Sequence, residues 1–207
     1  NTSLMDKEMK ILIFIYGISA DLFLFALFVI FNNIDGDNIA QLLEREAHGF
    51  PVSVPTKVGI LVGIASGLDA VHKKGLLHCD IKAANIMVGK NGEVIIIDFG
   101  LCRPMDDRAC GTPANWAPEQ FGGGSTLQTE VWQWGYVVYQ LLTGVPPIPA
   151  AHNFLETGGL VNNHPITPIT QLRPDVPKEI AAIVMAALAK NPAERWHSVG
   201  EVLARLR

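Results

Sequence analysis

The chain has 207 residues, of which 49% are hydrophobic and 17% charged, and a net charge of −4. That length supports one large domain with a substantial core. The acidic balance and the lack of a basic run exclude the electrostatic footprint of a nucleic-acid binder. The three cysteines, Cys79, Cys102 and Cys110, are too few and odd in number for a disulfide framework, and no pair has zinc-ligand spacing. Reduced thiols in a cytoplasmic protein are the expectation, and no signal peptide of the usual shape is visible.

Residues 10–31, "KILIFIYGISADLFLFALFVIF", are long and apolar enough to cross a bilayer. Gly17, Ser19 and Asp21 cluster at the middle, and a central Asp costs about 2.5–3.5 kcal/mol on insertion scales. "GISAD" is a turn sequence, and β-branched and aromatic runs of strand length flank it. Two strands are expected there, not a membrane span. The stretch "FNNIDGDNIAQLLER" then turns polar and takes up helical spacing at Ile39, Leu42 and Leu43.

"PTKVGILVGIASGLDAVHKKG" reads as a buried helix. Val58, Leu61, Ala65, Leu68 and Val71 recur at three to four residues, Pro55 suits its start, and Lys73, Lys74 and Gly75 suit its end. The short apolar runs "LLH", "NIMV" and "EVIIIDF", with "GKNGE" between the last two, read as a hairpin with an Asn-Gly turn. A second apolar helix is expected over 127–143, closed by Gly144 and then Pro146 and Pro147. The proline-rich 146–176 reads as mostly loop with one short helix. A third helix is expected over 177–190, with Ile180, Val184 and Leu188 on one face, and a fourth over 198–206, where Ser198 and Glu201 have capping-box spacing.

Two acidic residues stand out as chemistry. Asp80 lies in "HCDIKAANIMV", and Asp98 ends the run "VIIIDFG" at the mouth of a buried strand. Asn85 lies five residues after Asp80 and across the expected hairpin from Asp98, so Asn85 and Asp98 converge. An amide oxygen with a carboxylate is a donor set for a hard cation such as Mg²⁺. Asp80 would stand nearby as a base, with Lys82 as a cation to neutralise a transferring phosphoryl group. As structural residues, His78 reads as a packed histidine, and Trp132 and Trp134 read as core.

In this order and spacing, "HCDIKAANIMV", "DFG" and "APE" resemble the catalytic loop, metal-binding turn and activation-segment end of eukaryotic-type (Hanks-type) Ser/Thr protein kinases. The resemblance covers roughly residues 30–207. It implies an α+β, protein-kinase-like fold: a partial small lobe over 1–31 (the end of its helix and two strands), a hinge over 32–38, and a helical large lobe over 39–207. It also implies ATP and Mg²⁺ as cofactors and a protein substrate bearing Ser or Thr. The matching positions make Asp80 and Lys82 catalytic and make Asn85 and Asp98 the Mg²⁺ ligands. Ile30, Phe31, Asn33, Asp37 and Met87 would surround the nucleotide, Asp37 near the ribose and Met87 beneath the adenine. Thr112 in "GTPANWAPE" would stand near Asp80, Phe99 would pack beneath the small-lobe helix, and Glu119 would pair with Arg195.

Three departures from the pattern matter. Cys79 stands where the family usually has an Arg that reads a phosphate on the activation segment, and no Ser, Thr or Tyr lies between Phe99 and Gly111. Receiver and phosphosite are lost together, so activation by phosphorylation of that segment is not expected. Glu130 replaces the usual Asp that braces the catalytic loop. Residues 1–30 carry no glycine-rich phosphate loop and no strand lysine to grip the α- and β-phosphates; only Glu8 fits the helix glutamate. A truncated small lobe with weak or no activity is therefore expected. The alternative is a pseudokinase, a scaffold or allosteric binding module, with a protein partner at the exposed small-lobe remnant.

Overall fold

The computed structural model describes residues 35–104 and 109–207. The strand pair expected within 10–31, the small-lobe remnant with its partner surface, and Ile30, Phe31 and Asn33 lie outside these residues.

The described chain begins with a short strand, β1 (Gly36–Asn38), which covers the end of the expected hinge. It runs directly into α1 (Ile39–Ala47). Asn38 caps that helix reciprocally: its Oδ1 accepts the Gln41 N–H at 2.9 Å, and Gln41 Oε1 accepts the Asn38 N–H at 2.8 Å. β1 lies antiparallel to β3 (Ile86–Gly89), which pairs with β4 (Val94–Ile96), so the three-stranded sheet has the order β1-β3-β4. The β3–β4 turn differs from a two-residue Asn-Gly turn. Gly89 N–H bonds Glu93 O, Gly92 N–H bonds Gly89 O, and only Gly92 has a positive φ, 85°. The glycine therefore serves a longer loop as its left-handed residue. The run "LLH" does not join the hairpin: β2 (Leu76–Leu77) pairs with β5 (Arg103–Pro104) in a separate ladder.

α2 (Val54–His72) forms as its spacing predicts. Ser53 Oγ accepts the Thr56 N–H at 3.3 Å, and Gly75 ends the turn beyond the helix with φ 73°. The helix is apolar and long enough to span a membrane, yet Ile60, Leu61, Ile64, Ala65, Leu68 and Val71 are buried within the core. Two glycines explain how tightly it lies on the sheet. A Cβ at Gly63 would come within 2.7 Å of Val94, and one at Gly67 within 2.8 Å of Ile96. Placed one turn apart, they let β4 press against the helix backbone.

α3 (Leu127–Thr143) is buried along nearly its whole length and closes at Gly144, φ 80°. Trp132, Trp134 and Tyr139 are core residues, as expected for the tryptophans. Trp134 Nε1–H reaches Leu61 O on α2 at 3.2 Å, and the Tyr139 hydroxyl reaches Thr167 O at 2.8 Å. Downstream, the proline-rich stretch contains more helix than its composition suggests: α4 (Phe154–Asn163), capped by Asn153, and the four-residue α5 (Ile169–Leu172). Gly158 and Gly159 weaken the helical signal of α4, but a Cβ at Gly158 would meet the Phe121 ring at 2.9 Å. α6 (Lys178–Ala187) and α7 (Val199–Leu206) complete the described fold. At α7 the capping box is offset by one residue. Ser198 accepts the Glu201 N–H, while Glu201 returns its bond to the N–H of His197.

The Glu119–Arg195 pair forms as the resemblance implies. Arg195 NH1 and NH2 each lie 2.8 Å from a Glu119 carboxylate oxygen. The other donors reach Ala189 O, Gln128 O and Lys190 O, so all five guanidinium N–H groups are used. The Arg195 side chain is fully buried and stacks over Trp132 at 5.1 Å. Removing one partner leaves the other charge buried and uncompensated. Glu119→Ala and Arg195→Ala should each lower unfolding stability by about 3–5 kcal/mol in urea titrations. A loss below about 1 kcal/mol, the size of an exposed pair, would contradict this assignment.

Candidate active site

The site is built from a loop, a hairpin and the stretch before the "APE" sequence. The loop is His78 to Lys82, following β2. His78 is fully buried and ties it to the end of β4. Its Nε2 lies 3.0 Å from Ile97 O, while its Nδ1 faces the Asp80 N–H at 3.3 Å. Burial pushes the His78 pKa below its ordinary value. In the neutral ring, Nε2–H donates to Ile97 and Nδ1 accepts from Asp80. His78 is thus a packed residue, as its sequence context suggests, and its two bonds join the Asp80 loop to the Asp98 turn.

Asp80 is buried, and both of its carboxylate oxygens are occupied. Oδ1 accepts the Thr112 N–H at 2.8 Å and the Thr112 hydroxyl at 2.7 Å. Oδ2 accepts Lys82 Nζ at 2.6 Å and Asn85 Nδ2 at 3.2 Å. Lys82 also donates to Thr112 Oγ1 at 3.1 Å. Burial raises the Asp80 pKa, but the bonds from Lys82 and Thr112 outweigh it and hold the carboxyl below its ordinary range. Asp80, Lys82, Asn85 and Thr112 therefore form one cluster.

Asn85 is buried at the start of β3, and its Nδ2 also donates to Asp80 O at 2.9 Å. With the amide nitrogen held on that side, Oδ1 is the end left for a cation. Ile97 N–H bonds Asn85 O at 2.9 Å, which sets the turn bearing Asp98 beside Asn85. Asp98 is exposed and left-handed, with φ 63° and ψ 64°. Its Oδ1 lies where a Cβ on Gly100 would be only 3.3 Å away. Two oxygen donors, one amide and one carboxylate, fit Mg²⁺, which takes few protein ligands and completes its shell with water and phosphate oxygens. Among the described residues no group of three or more His, Cys, Asp or Glu residues forms a metal site.

The expected nucleotide contacts are described in part. Met87 sits half-buried on β3, opposite Asn38 of β1 and Ile95 of β4. Asp37 lies on β1 opposite Val88, and its carboxylate is paired with Arg45 of α1. Asp37 and Arg45, with His48 and Phe50, line an open cavity of about 550 Å³ that does not include Asp80, Asn85 or Asp98.

Glu130 takes the bracing place that the resemblance implies, while the parts played by Gly111 and Gln120 escape a sequence reading. Glu130 reaches across from α3, buried, with Oε1 2.5 Å from the Cys79 N–H and Oε2 2.7 Å from His72 Nε2. The longer side chain still braces the loop. Gly111, φ 92°, lies so close to the loop that a Cβ there would be 2.1 Å from Cys79 O. Gln120 is buried and bridges Ala117 N–H and Cys110 O. The "GTP" spacing before "APE" hints at the glycine; nothing local points to the glutamine.

A model of the protein kinase domain matches residues 10–205. The chain is 32% identical over 180 residues to the serine/threonine-protein kinase PknH of Mycobacterium bovis, covering 82% of this chain and 29% of that protein. It is 31% identical over 186 residues to the serine/threonine-protein kinase PknE of Mycobacterium tuberculosis, covering 86% of this chain and 32% of that protein. To the probable serine/threonine-protein kinase CE0033 of Corynebacterium efficiens it is 29% identical over 192 residues, covering 86% and 29%. The chain thus spans about a third or less of the length of these curated relatives. By the extent of these matches and the Asp80–Lys82–Asn85–Thr112 cluster, the chain belongs to the protein kinase family, on its Hanks-type serine/threonine branch.

Proposed function

We propose that this domain transfers the γ-phosphoryl group of Mg²⁺-ATP to a Ser or Thr hydroxyl of a protein, with Asp80 receiving the proton. The observation that carries the reading is the Asp80 carboxylate, bonded by Lys82, Asn85 and Thr112 together. Asn85 Oδ1 and Asp98 would hold Mg²⁺, which when bound neutralises charge on the phosphate oxygens and orients them.

The residues divide the remaining work. Lys82 is the part of the cluster best able to move, with its side chain 29% exposed. When its ammonium turns to the γ-phosphate, the place it held on Asp80 Oδ2 opens to the substrate hydroxyl, and Asn85 Nδ2 keeps its bond to the same oxygen. The hydroxyl oxygen then bonds to the γ-phosphorus as the bond to the β–γ bridging oxygen breaks and ADP leaves. A carboxylate held below its ordinary pKa is a weak base, so Asp80 orients the hydroxyl first. It takes the proton only as the new P–O bond makes that proton acidic. Thr112 keeps Oδ1 fixed throughout.

Cys79 in place of an arginine, with no hydroxyl between Phe99 and Gly111, supports a domain that does not read an activation-segment phosphate. The alternative is a scaffold or allosteric pseudokinase, a domain that keeps this fold without transferring phosphate.

Three measurements test these readings. Titration with ATP should show Mg²⁺-dependent binding that Asp98→Ala abolishes; binding indifferent to Mg²⁺, or none, favours the scaffold. Asp80→Asn should retain Mg²⁺-ATP binding and lower peptide phosphorylation by about 10²–10⁴-fold. Equal activity of wild type and variant would remove Asp80 from the chemistry. Phosphatase treatment of the purified chain should leave its transfer rate unchanged, and a mapped activation-segment phosphate that raises the rate would overturn that expectation.

A further inference from the structure

We propose that Cys79 and Cys110 are a thiol-oxidation site, closing a reversible disulfide that ties the catalytic loop to the activation segment. The Cys79 thiol, which donates to Leu77 O at 3.8 Å, stands beside that of Cys110: a Cβ on the next residue, Gly111, would be 2.1 Å from Cys79 O. Both are free cysteines, Cys79 buried and Cys110 half-buried. Their backbones are held in place independently. Cys79 is left-handed, φ 75°, with its N–H on Glu130. Cys110 O accepts Gln120 Nε2 at 3.0 Å. The following residue, Gly111, has no room for a Cβ against Cys79 O, and Thr112 is fastened to Asp80.

The environments assign the two sulfurs different roles. The neighbouring Cys110 thiol, and burial, push the Cys79 thiol up. The neighbouring Cys79 thiol lowers that of Cys110, and the charge of Arg103 and a bond with Ser125 add to this. Cys110 is the half-buried thiol of the two and Cys79 the buried one, so Cys110 is the sulfur an oxidant in solvent meets first. Cys79 keeps its proton and acts second. Cys102 is a spectator, buried and pushed up to about 11 by its burial.

With a hydroperoxide as oxidant the chemistry closes. The Cys110 thiolate attacks one peroxide oxygen, the O–O bond breaks, and the departing hydroxide gains a proton to become water, leaving a sulfenic acid. Cys79 sulfur then attacks Cys110 sulfur. The S–S bond forms, the S–O bond breaks, and the hydroxyl leaves as a second water with the Cys79 proton. Two thiols are oxidised by two electrons, and hydrogen peroxide is reduced to two waters. A small dithiol reverses the bond by exchange.

The site occupies the position from which an arginine would read a phosphate. A covalent link there would fix Asp80 and Thr112, the neighbours of the two cysteines, in the register they already share. The consequence is readable without any phosphoryl transfer. The full chain, treated with hydrogen peroxide, denatured and alkylated, should fall from three titratable thiols to one. Proteolysis should release a peptide pair joining residues 79 and 110, lighter by two hydrogens than its parts. Dithiothreitol should restore all three thiols. Cys102→Ser should still form the link. Cys110→Ser, a change at the half-exposed position, should keep both remaining thiols after the same treatment. Three surviving thiols in the wild type, a link that includes Cys102, or sulfinic acid at Cys110 in place of the disulfide would each overturn the proposal.

Discussion

The loop that carries Asp80 depends on one buried carboxylate. Glu130, 1% exposed on α3, receives the Cys79 N–H and faces His72 at the end of α2. One side chain therefore joins the central helix, the end of the helix that lies on the sheet, and the loop between β2 and β3. An acid in such a place is tolerable only because its oxygens are met by donors held by the fold. Its reach also matters. Cys79 is left-handed, which costs a non-glycine residue about 1–3 kcal/mol, and such a conformation persists only where the surroundings over-determine it. The Glu130 bond to the Cys79 N–H is the part of those surroundings that acts on the strained residue itself. Because the glutamate is longer than an aspartate, the brace stands one methylene further from the helix without losing its contact.

Asp80 follows this strained residue and inherits its position. Four donors converge on its carboxylate, and the sum of their bonds outweighs the burial that would otherwise protonate it. That balance has a chemical meaning. A group kept anionic by a lysine and a threonine is a good acceptor for a hydroxyl hydrogen bond and a poor base for an unactivated alcohol. In the proposed phosphoryl transfer, this arrangement favours orientation first and proton transfer late.

Much of this was legible in the residues, and the limits are physical. The periodicity of α2, the apolar run and closing glycine of α3, the Ser198 cap and the Glu119–Arg195 pair are written in local sequence or in residues that match the family pattern. Asp80, Lys82, Asn85 and Thr112 could be named from the catalytic-loop and activation-segment sequences, and the structure brings them together. What sequence could not supply depends on contacts between distant segments. β2 and β5 are two residues each and find each other only because the folded chain places them side by side. Gly63 and Gly67 look like weak points of a helix until the sheet is seen against them. α4 was hidden by its glycines, one of which makes room for Phe121. His78 could be read as packed, but not as the tie between Ile97 and Asp80. The thiol contact of Cys79 with Cys110 joins residues from two segments with no shared periodicity.

The same geometry shows what joins the activation segment to the loop at Cys79, where the family pattern has an arginine. In a site that reads a phosphate, charge on the activation segment draws that segment to the loop before Asp80. Here packing and hydrogen bonds make the approach. Gly111 admits the backbone of Cys79, Gln120 holds the carbonyl of Cys110, and Thr112 gives two hydrogens to one oxygen of Asp80. None of these contacts requires an added charge. The only two non-glycine residues with positive φ among those described, Cys79 and Asp98, stand at the two places where the chain must turn sharply to present a carboxylate. Both are held by buried neighbours: Cys79 by Glu130, and the Asp98 turn by His78 through Ile97 and by the edge of Phe99. The strain is confined to the residues that aim the chemistry, and the helices behind them hold it in place.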